Sequence, residues 1–224
     1  MADRSILFSA PMVRALLDGR KTQTRRISKG ANDLGLTYVV PLDDAAGWFG
    51  DEEGEVCFSA GYKPGDRLYV REEYYQRGSW VKVEGAVTKG GKPKWAFIPA
   101  DDRIQFHPQG SFRRARDASD PGTVWLHKRL GRFMPRAASR VTLTVTDVRV
   151  ERLKACSDAD AIAEGLEWVA PGKWSVDRTL LIIGDDPRRV YAELWDHING
   201  AGAWDANPWV VAVSFDVRKG NIDG

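Results

Sequence analysis

RVTLTVTDVRVERL, Arg140–Leu153, is the stretch on which the fold turns. Val141, Leu143 and Val145 alternate with Thr142, Thr144 and Thr146. Branched side chains in strict alternation fit a pleated surface with one buried face, so the segment reads as a long strand. The next segment reads as a helix. In SDADAIAEGL, Ser157 is a cap, acidic residues fill the first turn, and Gly165 is the stop. Pro187 opens a second helix with Val190, Leu194, Trp195 and Ile198 on one face, ending at Gly200. Trp209 to Val217 is the closing strand.

Toward the N-terminus, the turn in YKPGDRLYVREEYY launches another alternating strand, with Leu68 and Val70 on one face and Tyr69 and Arg71 on the other. Ile6–Phe8 is a short strand. Pro11 suits the first turn of a helix through Leu17, stopped by Gly19, and Thr22–Ile27 is extended. Two stretches interrupt this order. Residues 30–60 carry short strand pieces at Leu36–Val40 and Val56–Ser59. Residues 78–121 carry irregular hairpins, such as Trp80–Val83 and Trp95–Ile98, and the cations Arg113 and Arg114 beside Phe112. The order is that of one α+β domain over residues 1–224, a small mixed β-barrel with flanking helices and two loop or hairpin insertions.

Composition narrows the function. The 224 residues include 43% hydrophobic and 29% charged, with a formal net charge of +2, so bulk charge does not demand nucleic acid. No apolar run is long enough to span a bilayer and the N-terminus lacks a signal-peptide pattern, which points to a cytoplasmic protein with no membrane partner. Cys57 and Cys156 stand alone and read as reduced, buried thiols. Most of the nine tryptophans are expected in the core. The three histidines show no ligand spacing, so neither a metal nor a cofactor is expected. The sequence sets no oligomeric state.

One stretch invites chemistry. DGRKTQTRRIS, Asp18–Ser28, packs four cations and two threonines into the seven residues from Arg20 to Arg26. A hydroxyl nucleophile needs a base. Lys21 serves Thr24 as one only when neutral, and burial with Arg20, Arg25 and Arg26 nearby pushes in that direction. Strand alternation puts Thr24 with Thr22 and Arg26, and Gln23 with Arg25, so Lys21 reaches Thr24 only if the turn after Gly19 folds it back. A basic anion-binding loop is the competing reading. Glu164, at the negative end of its helix, is a candidate acid or an exposed helix-end carboxylate. Arg71 and Glu72 are candidates for an internal ion pair or for holding a ligand. Arg136, with Arg140, is a phosphate contact or a surface arginine. In GAWDANPWVV, Trp204, Asn207 and Trp209 combine rings and an amide suited to a base, or are core and turn residues.

GRKTQTRR after a helix, KPGDRLYVRE, the long strand leading into SDADAIAEGL, and NPWVVAVSFDV together resemble the ASCH domain family, of PUA-like fold, with the greatest likeness to its phage and prophage members. Both insertions fall outside the likeness. The resemblance implies a small barrel with a cleft lined by the GRKTQTRR segment. Some small bacterial members are amidohydrolases that remove the acetyl group from N4-acetylcytidine with a lysine, a threonine and a glutamate. Lys21 and Thr24 match that pattern residue for residue; Glu164 matches the acid by position, with Glu151 next. The implied partner is a modified nucleoside or RNA, contacted by Arg26, Arg71, Glu72, Arg136, Trp204, Asn207 and Trp209. Other members imply a non-catalytic RNA or modified-base reader, or a metal-independent ribonuclease.

Overall fold

The computed structural model describes residues 3–107, 125–176 and 182–224. Phe112, Arg113 and Arg114 lie outside the described residues. The chain forms two compact units, Met1–Val70 with Ser139–Gly224, and Arg71–Ala138. The second insertion is thus the greater part of a unit of its own.

In chain order the first unit opens with β1 (Asp3–Leu7), α1 (Ala10–Leu17) and β2 (Gln23–Ile27). The first insertion follows as α2 (Lys29–Asp33), β3 (Val40–Pro41), β4 (Trp48–Gly50) and β5 (Cys57–Ser59), and β6 (Arg67–Arg71) ends the segment. The second unit holds β7 (Tyr74–Val87), β8 (Pro93–Gln105) and β9 (Trp125–Arg129). The first unit resumes with β10 (Val141–Arg152), α3 (Asp158–Ala163), β11 (Glu167–Ala170), β12 (Lys173–Ser175), β13 (Ile183–Gly184), α4 (Pro187–Asn199) and β14 (Trp209–Lys219).

The first unit is built on a five-stranded sheet of order β1-β6-β10-β14-β2. β10 is the central strand that the alternation predicts. Val141, Leu143 and Val145 are buried, and a bulge between Val145 and Asp147 interrupts its antiparallel ladder with β14. A bulge sharpens local twist. Among the described residues the pairing stays open, with β1 and β2 at the edges, so no closed barrel is seen. The edges nevertheless come close, because Arg26 on β2 donates to the Leu7 carbonyl at 2.7 Å.

One apolar cluster joins the sheet to Val13 and Leu16 of α1 and, unexpectedly for an insertion, to Ala31, Phe49 and Phe58. The first insertion is therefore part of the core. Gly30 shows how tightly it packs, since a Cβ there would fall 2.5 Å from the Phe58 ring. A second cluster gathers Leu153, Cys156, Ala161, Val190, Tyr191, Leu194 and Trp195 under α3 and α4. Ile198, expected on the buried helix face, is 62% exposed; Tyr191 takes the inward place. Trp195 and Trp209 are buried, Trp174 and Trp204 pack half-buried against the second cluster, and Trp48 and Trp168 are exposed. Cys156 is buried, but Cys57 is exposed.

In the second unit the irregular hairpins prove to be one long antiparallel pair, β7 with β8, in which Trp80 faces Phe97, and β9 flanks β7 on its other side. No helix among the described residues is long and apolar enough to cross a membrane.

Candidate active site

The site is assembled by two helix ends and two strands. Gly19, at φ +74, lets the chain leave α1 by a left-handed turn. Lys21 N–H then donates to the Ala15 carbonyl and Thr22 N–H to the Ala163 carbonyl at the end of α3. Lys21 and Glu164 form an isolated antiparallel bridge, so the basic segment is tied to the end of α3 by its main chain. On the other side Ser157 caps α3 in a reciprocal box with Asp160. Glu164 is the C-cap residue of that helix.

These main-chain ties bury a polar cluster. Lys21 is 1% exposed, Thr24 and Arg25 4% each, and Glu164 4%. Lys21 Nζ donates to Glu164 Oε2 at 2.7 Å and to the Glu164 carbonyl at 2.9 Å. The other carboxylate oxygen, Oε1, accepts from Arg25 Nη1 at 3.4 Å. Arg25 is the hub. Its Nη2 lies 2.7 Å from Glu151 Oε1 and 3.3 Å from Asp160 Oδ1, and its Nη1 donates to Gln23 Oε1 at 2.5 Å. Arg149 closes the periphery, 3.0 Å from Asp160 Oδ1 and 3.5 Å from Glu151 Oε2. A buried guanidinium is tolerable only when its donors are met, and three carboxylates and an amide meet them here.

The cluster sets proton affinities. Burial pulls the Lys21 ammonium below its ordinary value; Glu164 opposes this, and the Arg26 and Arg25 charges reinforce it. Burial, with the Glu164 charge behind it, holds the Tyr191 hydroxyl well above its ordinary value. Burial pushes the Cys156 thiol up to about 12 against the pull of Arg25, so it is an inert core thiol. At Asp160 burial acts upward, but hydrogen bonds from Ser157 and Arg149 and the Arg25 charge outweigh it and hold the carboxyl well below the usual range.

Thr24 stands apart in one respect. It lies on β2 opposite Val213, on the strand face that alternates with Gln23 and Arg25. Its hydroxyl makes no hydrogen bond among the described residues, and Lys21 Nζ is held by Glu164 rather than by it. Phe8 lies beneath the same region, with Lys21 Nζ 5.5 Å and the Arg26 guanidinium 5.3 Å from its ring centre.

Of the expected residues, Lys21 and Glu164 meet in the buried cluster, while Thr24 is buried on the other face of β2, the face that also carries the exposed Arg26. Glu151, the second choice for the acid, also belongs to the cluster, as the partner of Arg25. The aromatic candidates do not face it as free platforms. Trp209 is 7% exposed, its Nε1 donates to the Leu36 carbonyl at 2.7 Å, and Arg152 covers its ring at 4.3 Å. It is a core tryptophan. Trp204 packs edge-on against Tyr191 at 6.1 Å. Asn207 is a turn residue at φ +47 whose Oδ1 accepts from the Lys154 N–H at 2.8 Å. Arg71, Glu72 and Arg136 belong to the second unit. There Arg71 donates to the Met134 carbonyl at 2.9 and 3.0 Å, and buried Glu72 lies 3.5 Å from His107.

Sequence reasoning missed Arg25 as a hub, and with it Asp160 and Tyr191. Alternation did place Arg25 opposite Thr24. A buried arginine needs carboxylates, and those on β10 and α3 were the nearest to hand. Compared with protein-family models, with curated proteins and with solved structures, the chain matches none.

Proposed function

We propose that the chain is a hydrolase that removes an acyl group from the exocyclic amine of a modified nucleoside of the N4-acetylcytidine type. The supporting observation is the Lys21–Glu164 pair. A fully buried lysine whose burial favours the neutral amine is held at 2.7 Å by a carboxylate, on the same short segment as a buried threonine whose hydroxyl makes no hydrogen bond among the described residues. That is the chemistry an activated hydroxyl requires. The ASCH-type resemblance supports the same reading, and the near approach of β1 and β2 is compatible with a PUA-like barrel as the finer description of the sheet.

In this mechanism neutral Lys21 takes the Thr24 hydroxyl proton as the alkoxide oxygen attacks the acyl carbonyl. β2 is the last strand of its sheet, so alternate N–H groups along it face away from β14 and are placed to stabilise the oxyanion. The carbon–nitrogen bond breaks as the proton that Lys21 took from Thr24 passes across the 2.7 Å contact to Glu164 and from there to the leaving amine. Water then hydrolyses the acyl-threonine, releasing the acid and restoring Thr24. Because Lys21 and Thr24 are almost wholly covered, substrate reaches them only when neighbouring side chains, such as the exposed Arg26, move aside.

The alternative, a non-catalytic reader of RNA or of a modified base, is favoured by one observation: the Lys21 ammonium hydrogen-bonds Glu164 and not Thr24. A chromatographic assay of N4-acetylcytidine decides between them. Hydrolysis predicts cytidine and acetate from the wild type and none from Lys21→Met or Thr24→Ala; a reader predicts no product and binding that survives Thr24→Ala.

A further inference from the structure

A cavity of about 360 Å³ opens at the far end of β2 from Lys21. Its wall is drawn from β1, β2, the start of α2 and the end of the first insertion. Arg4, Arg26 and Lys29 contribute cations, Ser28 and Ser59 hydroxyls, and Tyr62 an aromatic ring; no acidic residue lines it. Elsewhere Arg20, Arg25, Arg67 and Lys154 each pair with a carboxylate. Among the described residues, none of the three cavity cations forms an ion pair.

Two of the three cations are also anchored. Arg4 donates to the Gly61 carbonyl, and Arg26 donates to the Leu7 carbonyl at 2.7 Å while its guanidinium lies 5.3 Å from the centre of the Phe8 ring. Each guanidinium spends one donor on the main chain and keeps the rest for a ligand, with its position fixed beforehand. Arginine forks and a lysine point charge suit a phosphate group better than any neutral ligand. The volume exceeds a bare phosphate and falls in the range of a small-molecule site, with Tyr62 offering a ring to the rest of the ligand.

We propose that this cavity binds the phosphate of a nucleotide, either a free nucleoside monophosphate or a phosphate of an RNA strand. The cavity shares Arg26 with the edge of the candidate active site but does not include Lys21 or Glu164, and the inference does not rest on the hydrolase reading. It gives the end of the first insertion a function, because Ser59 and Ala60 line the cavity and the next residue, Gly61, accepts from Arg4.

Calorimetric titration of the full chain tests this with cytidine 5′-monophosphate, cytidine and a short oligocytidylate. Both phosphate-bearing probes, or the oligonucleotide alone, should bind at least about tenfold more tightly than cytidine. Binding by the monophosphate assigns a free nucleotide; binding by the oligonucleotide alone assigns a strand. Arg4→Gln and Lys29→Gln, both at exposed positions, should each weaken binding roughly three- to tenfold, and Lys29→Arg should restore it. The proposal is overturned if cytidine binds as well as its monophosphate, if no probe binds the folded chain, or if binding is indifferent to both glutamine substitutions. The readout is binding, so loss of turnover of N4-acetylcytidine leaves this result unchanged.

Discussion

Glu164 carries two neighbours at once, with Oε2 on Lys21 and Oε1 on Arg25. Removing it in Glu164→Ala leaves a buried lysine without its carboxylate. The expected loss is about 3–5 kcal/mol in denaturant-induced unfolding, because an unpaired buried charge costs more than the pair contributes. Asp160 gives the pH dependence its sign. Its carboxyl is held below the ordinary range in the folded chain, so its contribution is present above the unfolded value of about 4 and fades as pH falls toward the folded one. Thermal melts from pH 6 to pH 2 should show an acid-side loss that is smaller in Asp160→Asn. At this scale the sequence marked candidate residues but not their partners. Lys21, Thr24 and Glu164 were visible as residue types in context, whereas Arg25 meets Glu151 and Glu164 across separations of 126 and 139 residues, which no local pattern encodes.

The elements that position these residues were legible because their signals are local. Pro11 and Gly19 bound α1, the Ser157 box starts α3, and alternation marks β10 and β14. β11–β13 carry no such signal, because strands of two to four residues hold by pairing with one another rather than by pattern. The long β7–β8 pair reads in sequence as separate hairpins for a related reason: glycines and prolines interrupt it, while its ladder, with register shifts, runs through them. Gly165 is the hinge of the site at this scale. It adopts φ +106, and a Cβ there would lie 2.9 Å from Ala15 Cβ and 3.1 Å from Lys21 Cβ. Gly165→Ala should destabilise the chain by about 1–3 kcal/mol and reduce turnover along with it, since the added methyl crowds Ala15 and the Lys21 side chain and the positive φ is strained for alanine. Urea unfolding and the cytidine-release assay, run on the same preparation, check both.

Across the whole molecule, stability should concentrate where β10 and β14 pair beneath α1. Val141, Leu143, Val210 and Val213 show essentially no exposure there, and the ladder is antiparallel through most of its length. Hydrogen exchange should be slowest along these two strands and fastest at the β7–β8 turn, where Val87 is 65% exposed. The division into two units was not legible in the sequence, which marks an insertion but not how much of the neighbouring chain folds with it.

The central claim is that Thr24, made nucleophilic by Lys21, takes the acyl group from a nucleoside amine. A rapid-quench reaction of the wild-type chain with N4-acetylcytidine, read by peptide mass spectrometry beside Thr24→Ala, tests it most directly. The account predicts cytidine release together with a transient acetyl group on the peptide containing Thr24, and neither from the variant. Cytidine release that persists in Thr24→Ala, or a folded wild type that releases none, would contradict it.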